Sequence, residues 1–157
     1  MVVDSFKEFT GKSKKLSVAA GVAITFEGKV LLVHPTGASW KKSAVGIPKG
    51  GIQDGEDILT AAIRELKEET GILLSRDDLL KKEMQSVDKY NSKGDIIQVL
   101  NYYIFPIKEL SEIGMSSLKV DKSNLQLEEI DWAGFININD AYPLIHRGQL
   151  IILDRLK

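Results

Sequence analysis

The sequence predicts a single α/β domain, with a mixed β-sheet packed between helices. Three observations carry that expectation. Two strand-like runs precede one long amphipathic helix, a hairpin and a further strand follow it, and the C-terminal stretch is helical. At 157 residues the chain suits one domain with a true core. No internal repeat, low-complexity tract or interdomain linker divides it.

Residues 1–15 are polar and lysine-bearing and form a loose lead-in. The basic run Gly11-Lys12-Ser13-Lys14-Lys15 reads as a solvated tail before it reads as a phosphate contact. Residues 16–26 (LSVAAGVAITF) are strand-like, Glu27-Gly28 is a turn, and residues 29–34 (KVLLVH) form a second strand. A loop over residues 35–43 carries Trp40, and residues 44–48 lead to the helix predicted over 57–70. Residues 82–90 and 96–107 pair as a hairpin closed by Asn91-Ser92-Lys93-Gly94. Residues 108–124 read as an irregular connection and 127–135 as the last strand. Residues 138–157 read as helical, with a break near Gly148.

Composition removes several function classes. A hydrophobic fraction of 43% and a charged fraction of 27% are ordinary for a globular protein. A net charge of −1 offers no electrostatic case for extended nucleic acid. The absence of cysteine excludes disulfides, thiol catalysis and zinc–thiolate sites. No apolar run approaches a membrane span and the N-terminus lacks a signal-peptide core, so a cytoplasmic location without membrane partners is expected.

The informative stretch is residues 50–72, GGIQDGEDILTAAIRELKEETGI. Glu65, Glu68 and Glu69 stand at i, i+3 and i+4, within an arc of roughly 100° on a helix. Like charges at i, i+4 cost about 0.2–0.5 kcal/mol per pair, so solubility alone does not explain the cluster. A hard divalent cation such as Mg²⁺ relieves that repulsion by taking carboxylate oxygens. Leu59, Ala62, Ile63, Leu66 and Thr70 form the other, mostly apolar stripe, suited to packing on a sheet. Asp54, Glu56 and Asp57 place negative charge at the helix start, and Gly71 is a natural stop.

This stretch resembles the Nudix box, G-x5-E-x7-R-E-U-x-E-E-x-G-U with U aliphatic. Gly50, Glu56, Arg64, Glu65, Glu68, Glu69 and Gly71 fill the fixed positions, and Leu66 and Ile72 the aliphatic ones. Seven such residues at about 7% each coincide at a given start roughly once in 10⁸ trials. The resemblance implies the Nudix fold, an α/β/α sandwich. It also implies hydrolysis of a phosphoanhydride in a nucleoside diphosphate linked to another group. Mg²⁺ is the implied cofactor, with Mn²⁺ as a substitute. Glu65 and Glu69 are the first expected ligands and Glu68 the next, and family precedent adds a backbone carbonyl near Lys49 or Gly50. Glu68 is the candidate base for the attacking water; Glu128 or Glu129 is the alternative from outside the box. Arg64 reaches Glu68 at i+4 or forks onto Glu56, which suits an orienting role more than phosphate contact. Lys49 stands either as a phosphate contact or as a surface lysine.

Substrate features are thinner. Pro48-Lys49-Gly50 resembles the W-x-x-P-K-G run of dinucleoside polyphosphate hydrolases, although Val45 replaces the tryptophan. Tyr90 lies near the place where that subgroup stacks a tyrosine on a base; packing within the hairpin is its other reading. Trp40, Tyr102 and Tyr103 are further aromatics that fit either the core or a base. No proline follows the box between Gln85 and Tyr90, which disfavours ADP-ribose. Pro48-Lys49-Gly50-Gly51-Ile52 partly resembles enzymes that remove pyrophosphate from RNA 5′ ends. Expected first is a small dinucleoside polyphosphate, such as diadenosine polyphosphate. ADP-ribose or NADH, nucleoside triphosphates, RNA ends and a non-catalytic nucleotide-binding module follow. His34 and His146 have no spaced partners and read as structural or surface residues.

Overall fold

The computed structural model describes residues 16–157. The lead-in expected over residues 1–15 lies outside them. Strand β1 (Ser17–Phe26) turns through Glu27 and Gly28, with φ of 49° and 74°, into β2 (Lys29–Pro35). Positive φ at both central residues is what a two-residue hairpin turn of right-handed twist requires.

The hairpin then splits. β1 and β2 share only the register pairs Thr25↔Val30 and Phe26↔Lys29. Further along, β3 (Lys49–Gly51) takes that edge of β1, with Ala20 opposite Gly50, while β2 pairs antiparallel with β6 (Ile130–Asn137). On its other edge β1 runs parallel to β5 (Ile96–Pro106), and β4 (Met84–Tyr90) closes that side antiparallel. The six-stranded sheet has the order β4-β5-β1-β2-β6, with β3 off this path.

Alternation along β1 feeds two cores. Ala20, Val22, Ile24 and Phe26 pack with Leu59, Ala62 and Leu66 of the central helix α1 (Ile58–Thr70). Ala19 and Ala23 pack on the opposite face with Ile138, Ile145, Ile152 and Leu153 from the C-terminal segment. A strand buried on both faces reads as a continuous apolar run, as residues 18–24 do. This is the expected α/β/α sandwich around a mixed sheet.

α1 is fixed at both ends. Asp57 is its N-cap, Oδ1 accepting from the Thr60 N–H at 2.7 Å, and Gly71 at φ 76° donates its N–H to the Lys67 carbonyl at 2.8 Å. Ile63 is only partly buried, and Ala61 takes the buried place beside Ala62.

Several boundaries differ from expectation. β3 and a short helix α2 (Arg76–Leu80) were not foreseen; Ser75 and Asp78 close a capping box on α2. The irregular connection holds two 3₁₀ turns, Leu110–Ile113 and Lys122–Asn124. β6 starts at Ile130 rather than 127 and runs on to Asn137. The C-terminal helix is broken into α3 (Ile138–Ala141), a 3₁₀ turn Arg147–Gln149 and α4 (Leu150–Leu156). Pro143 cannot continue a helix and contributes to that break. Among the described residues no helix is long and apolar enough to cross a membrane.

Candidate active site

Arg64 organises the site. From the middle of α1 its Nε and one terminal nitrogen fork onto Glu56 at 2.7 and 2.9 Å. The nitrogen that meets Glu56 also donates to the Gly51 carbonyl at 2.9 Å, and the other reaches Glu65 at 2.9 Å and both Glu68 oxygens at 3.2 Å. Glu56 in turn accepts the Gln53 N–H at 3.0 Å. One guanidinium thus ties the loop ahead of α1, the end of β3 and two helix carboxylates together, a task for which a planar fork is suited. The Arg64 hydrogen bond holds the Glu56 carboxyl below its ordinary range, and Glu56 pushes the Arg64 guanidinium upward.

Gly50 has a steric role in this arrangement. A Cβ there would overlap the Glu65 carboxylate, so the absence of a side chain lets that carboxylate lie against the β3 backbone. Glu69, one turn on, is largely buried, and its Oε1 accepts the Lys49 N–H at 3.2 Å. Burial pushes the Glu69 carboxyl up to about 8, and burial also raises Glu65 despite Arg64 beside it. Glu68 is the exposed member of the three.

Among the described residues no three acidic or histidine side chains already converge as a ligand cage. Glu65 and Glu68 are drawn onto Arg64, and Glu69 is turned to Lys49. The donor set nevertheless fits a hard cation. Two carboxylates that burial drives toward neutrality stand one helical turn apart, and Glu69 has no side-chain cation within ion-pair distance among the described residues. A divalent ion held by these carboxylates would offset the cost of their charge.

Beside the cluster opens a cavity of about 340 Å³. Lys49, Glu69 and Glu129 line it, together with His146 and Gln149 from the far corner of the chain. The Glu129 charge raises both Glu65 and Glu69, so the structure brings this carboxylate to the box; Glu128 is not in the lining. Thr36 fixes the approach of that segment, its N–H donating to the Glu129 carbonyl at 2.9 Å and its hydroxyl to the Leu127 carbonyl at 2.8 Å.

The aromatics fall elsewhere. Tyr90 is exposed at the end of β4 and is not in the cavity lining. Tyr102 is buried, its hydroxyl within hydrogen-bond distance of Gln85 and Arg155, and Tyr103 packs against the α1 core. Trp40 stacks on His34 at 4.0 Å and meets Trp132 edge-on at 5.4 Å. His34 is buried and bonds Asp131 at 2.6 Å.

His146 is exposed, as a surface residue would be, and it also lines the cavity. Burial, with the Lys89 and Lys49 charges nearby, lowers its pKa, and its Nδ1 accepts the Gly148 N–H at 3.0 Å. Gln149 gave no local signal. It reaches the site by accepting the Ile47 N–H at 2.9 Å across a separation of 102 residues.

The NUDIX domain model matches residues 15–147. Nudix hydrolase 10 of Arabidopsis thaliana is 29% identical over 104 residues, covering 66% of this chain and 33% of that protein. The chain therefore spans about a third of that relative's length. ADP-ribose pyrophosphatase of Bacillus subtilis (strain 168) is 28% identical over 146 residues, covering 89% of this chain and 71% of that protein. The crystal structure of a MutT NUDIX hydrolase from Burkholderia pseudomallei shares the fold. Its TM-score is 0.68 at 21% identity, over 92% of this chain and 100% of that one. A family match running from residue 15 to residue 147 crosses every strand that positions Arg64 and its carboxylates, and it shows that the chain belongs to the Nudix family.

Proposed function

We propose that the protein is a metal-dependent pyrophosphohydrolase that cleaves a phosphoanhydride in a nucleoside-diphosphate-linked substrate. The observation that carries this reading is the meeting of Glu69, Glu129 and Lys49 on one cavity, beside carboxylates ordered by Arg64. Glu65, Glu68 and Glu69, with the Gly50 carbonyl, would hold Mg²⁺ or Mn²⁺. When bound, that ion supplies positive charge to the phosphate oxygens and makes water more acidic.

The chain's own groups divide the remaining work. Arg64 keeps Glu56, Glu65 and Glu68 in register and has no free edge for phosphate. Lys49, on the cavity wall, contacts a substrate phosphate as a point charge. Glu68 and Glu129 are the two carboxylates we assign to take the water's proton. Glu68 is exposed and held through Arg64; Glu129 faces the cavity.

A dinucleoside polyphosphate remains our first substrate, on the Pro48-Lys49-Gly50 run and the place of Lys49 in the cavity. ADP-ribose is the second reading, favoured by the match over 146 residues to a protein named ADP-ribose pyrophosphatase. The test is product release from diadenosine polyphosphates, ADP-ribose, NADH, nucleoside triphosphates and 5′-triphosphorylated RNA, with Mg²⁺, Mn²⁺ or EDTA. Metal-dependent cleavage that EDTA abolishes is the expected result. Silence across the panel would leave a nucleotide-binding module.

A further inference from the structure

Gln149 carries chemistry that the hydrolytic reading does not use. It lines the cavity yet is only 6% exposed. Its Oε1 accepts the Ile47 N–H at 2.9 Å, which fixes the amide with oxygen toward the backbone and nitrogen away from it. The amide lies flat on Gly46, where a Cβ would come within 2.8 Å of Nε2. No described residue accepts a hydrogen bond from Nε2, and Nε2 is not among the sealed polar atoms that lack a partner. A buried, oriented pair of N–H donors is therefore left without a described acceptor in a residue that lines the cavity. Val45, Ile47, Val87 and Leu100 give that region apolar walls.

Apolar walls with a neutral donor at the floor suit a flat ring with a polar edge. Lys49 and Lys89, elsewhere in the lining, remain for the phosphate of the same ligand. The edge that meets this amide must accept, because Oε1 is already engaged by the Ile47 N–H. We propose that Gln149 is a specificity-determining residue that donates from Nε2 to the exocyclic oxygen at purine C6 or pyrimidine C4, selecting guanine and uracil over adenine and cytosine, which carry an amino donor at that position. This rests on the reading of the chain as a nucleotide-processing enzyme.

The test is calorimetric binding of GMP, UMP, AMP and CMP to the full chain at pH 8. Metal-dependent kcat/KM on diguanosine and diadenosine polyphosphates is measured alongside. Oxo bases are expected to bind roughly tenfold more tightly than their amino counterparts. Gln149→Glu keeps an acceptor for the Ile47 N–H but presents no donor, so the preference should collapse or reverse while the melting temperature holds. Should that variant unfold, Gln149→Met, of similar length and without donors, should bind the four monophosphates alike. Equal binding by the wild type, tighter AMP, no binding at all, or a preference that survives both variants overturns the proposal. Oxo-base binding with no hydrolysis of any substrate would instead sink the hydrolytic reading and leave Gln149 in place.

Discussion

At the scale of single residues, the site is a balance of one guanidinium against several carboxylates, and geometry decides more than charge count. Arg64→Lys keeps the charge but cannot fork onto Glu56 while also reaching Gly51, Glu65 and Glu68. We expect kcat/KM to fall about 10²-fold, because small misplacements of reacting groups cost that much. Glu69→Gln should lower turnover by at least ~10² in a folded protein, through loss of a charge contact to the transition state. Near-normal turnover would show that the metal is held elsewhere. Gly50→Ala should reproduce much of that loss with little change in melting temperature, since the new methyl displaces Glu65 from the β3 backbone. Circular dichroism beside steady-state rates separates the two effects. The placement of Glu65 and Glu68 around Arg64 was legible because it depends on spacing within one helix. Gly50 was legible as a glycine, but its reason was not: the group that needs the room is the Glu65 carboxylate, brought there by strand pairing. Gln149 and His146 lacked any local pattern, because only chain closure over about a hundred residues makes them neighbours of Ile47 and Lys49.

At the scale of elements, α1 shows how far local rules reach. Its limits follow from Asp57 and Gly71, and both caps are visible in the sequence. The Asp57 carboxyl is held down at about 2, first by the Thr60 N–H, then by the Thr60 hydroxyl and Arg76. Its folded pKa lies below the ordinary value of 3.8, so its stabilising contribution is complete above that value and is lost as pH falls toward about 2. Asp57→Ala should lower the melting temperature at neutral pH and flatten its acid dependence between those two values. Thermal melts at a series of pH values check this, and an unchanged acid slope would mean that other carboxylates dominate. β3 was missed for the opposite reason: Lys49-Gly50-Gly51 has no strand propensity, and only the edge of β1 vacated by β2 makes it a strand. α2 left a readable signal in Ser75 and Asp78, but one and a half turns give no periodicity to detect.

At the scale of the whole molecule, β1 belongs to both cores, so neither layer can melt while the other stays ordered. Leu66→Ala on the α1 side and Leu153→Ala on the C-terminal side should each cost about 2–5 kcal/mol. Each variant should still unfold in a single transition, with calorimetric and van't Hoff enthalpies in agreement. Two resolved transitions in the Leu153 variant would show that the layers are independent. The sandwich was legible because strand runs and one helix with a clear apolar stripe leave few arrangements. The parallel pairing of β1 with β5 was not, since register across about eighty residues leaves no mark in either strand. The corner where β2 meets β6 has one more consequence. The chain's two tryptophans, Trp40 and Trp132, touch each other there, three residues beyond Glu129 in the case of Trp132. Together they form one native optical reporter beside the segment that carries Glu129. A nucleotide that moves Glu129 on entering the cavity should change the indole emission without any added label, and one that leaves that segment in place should not.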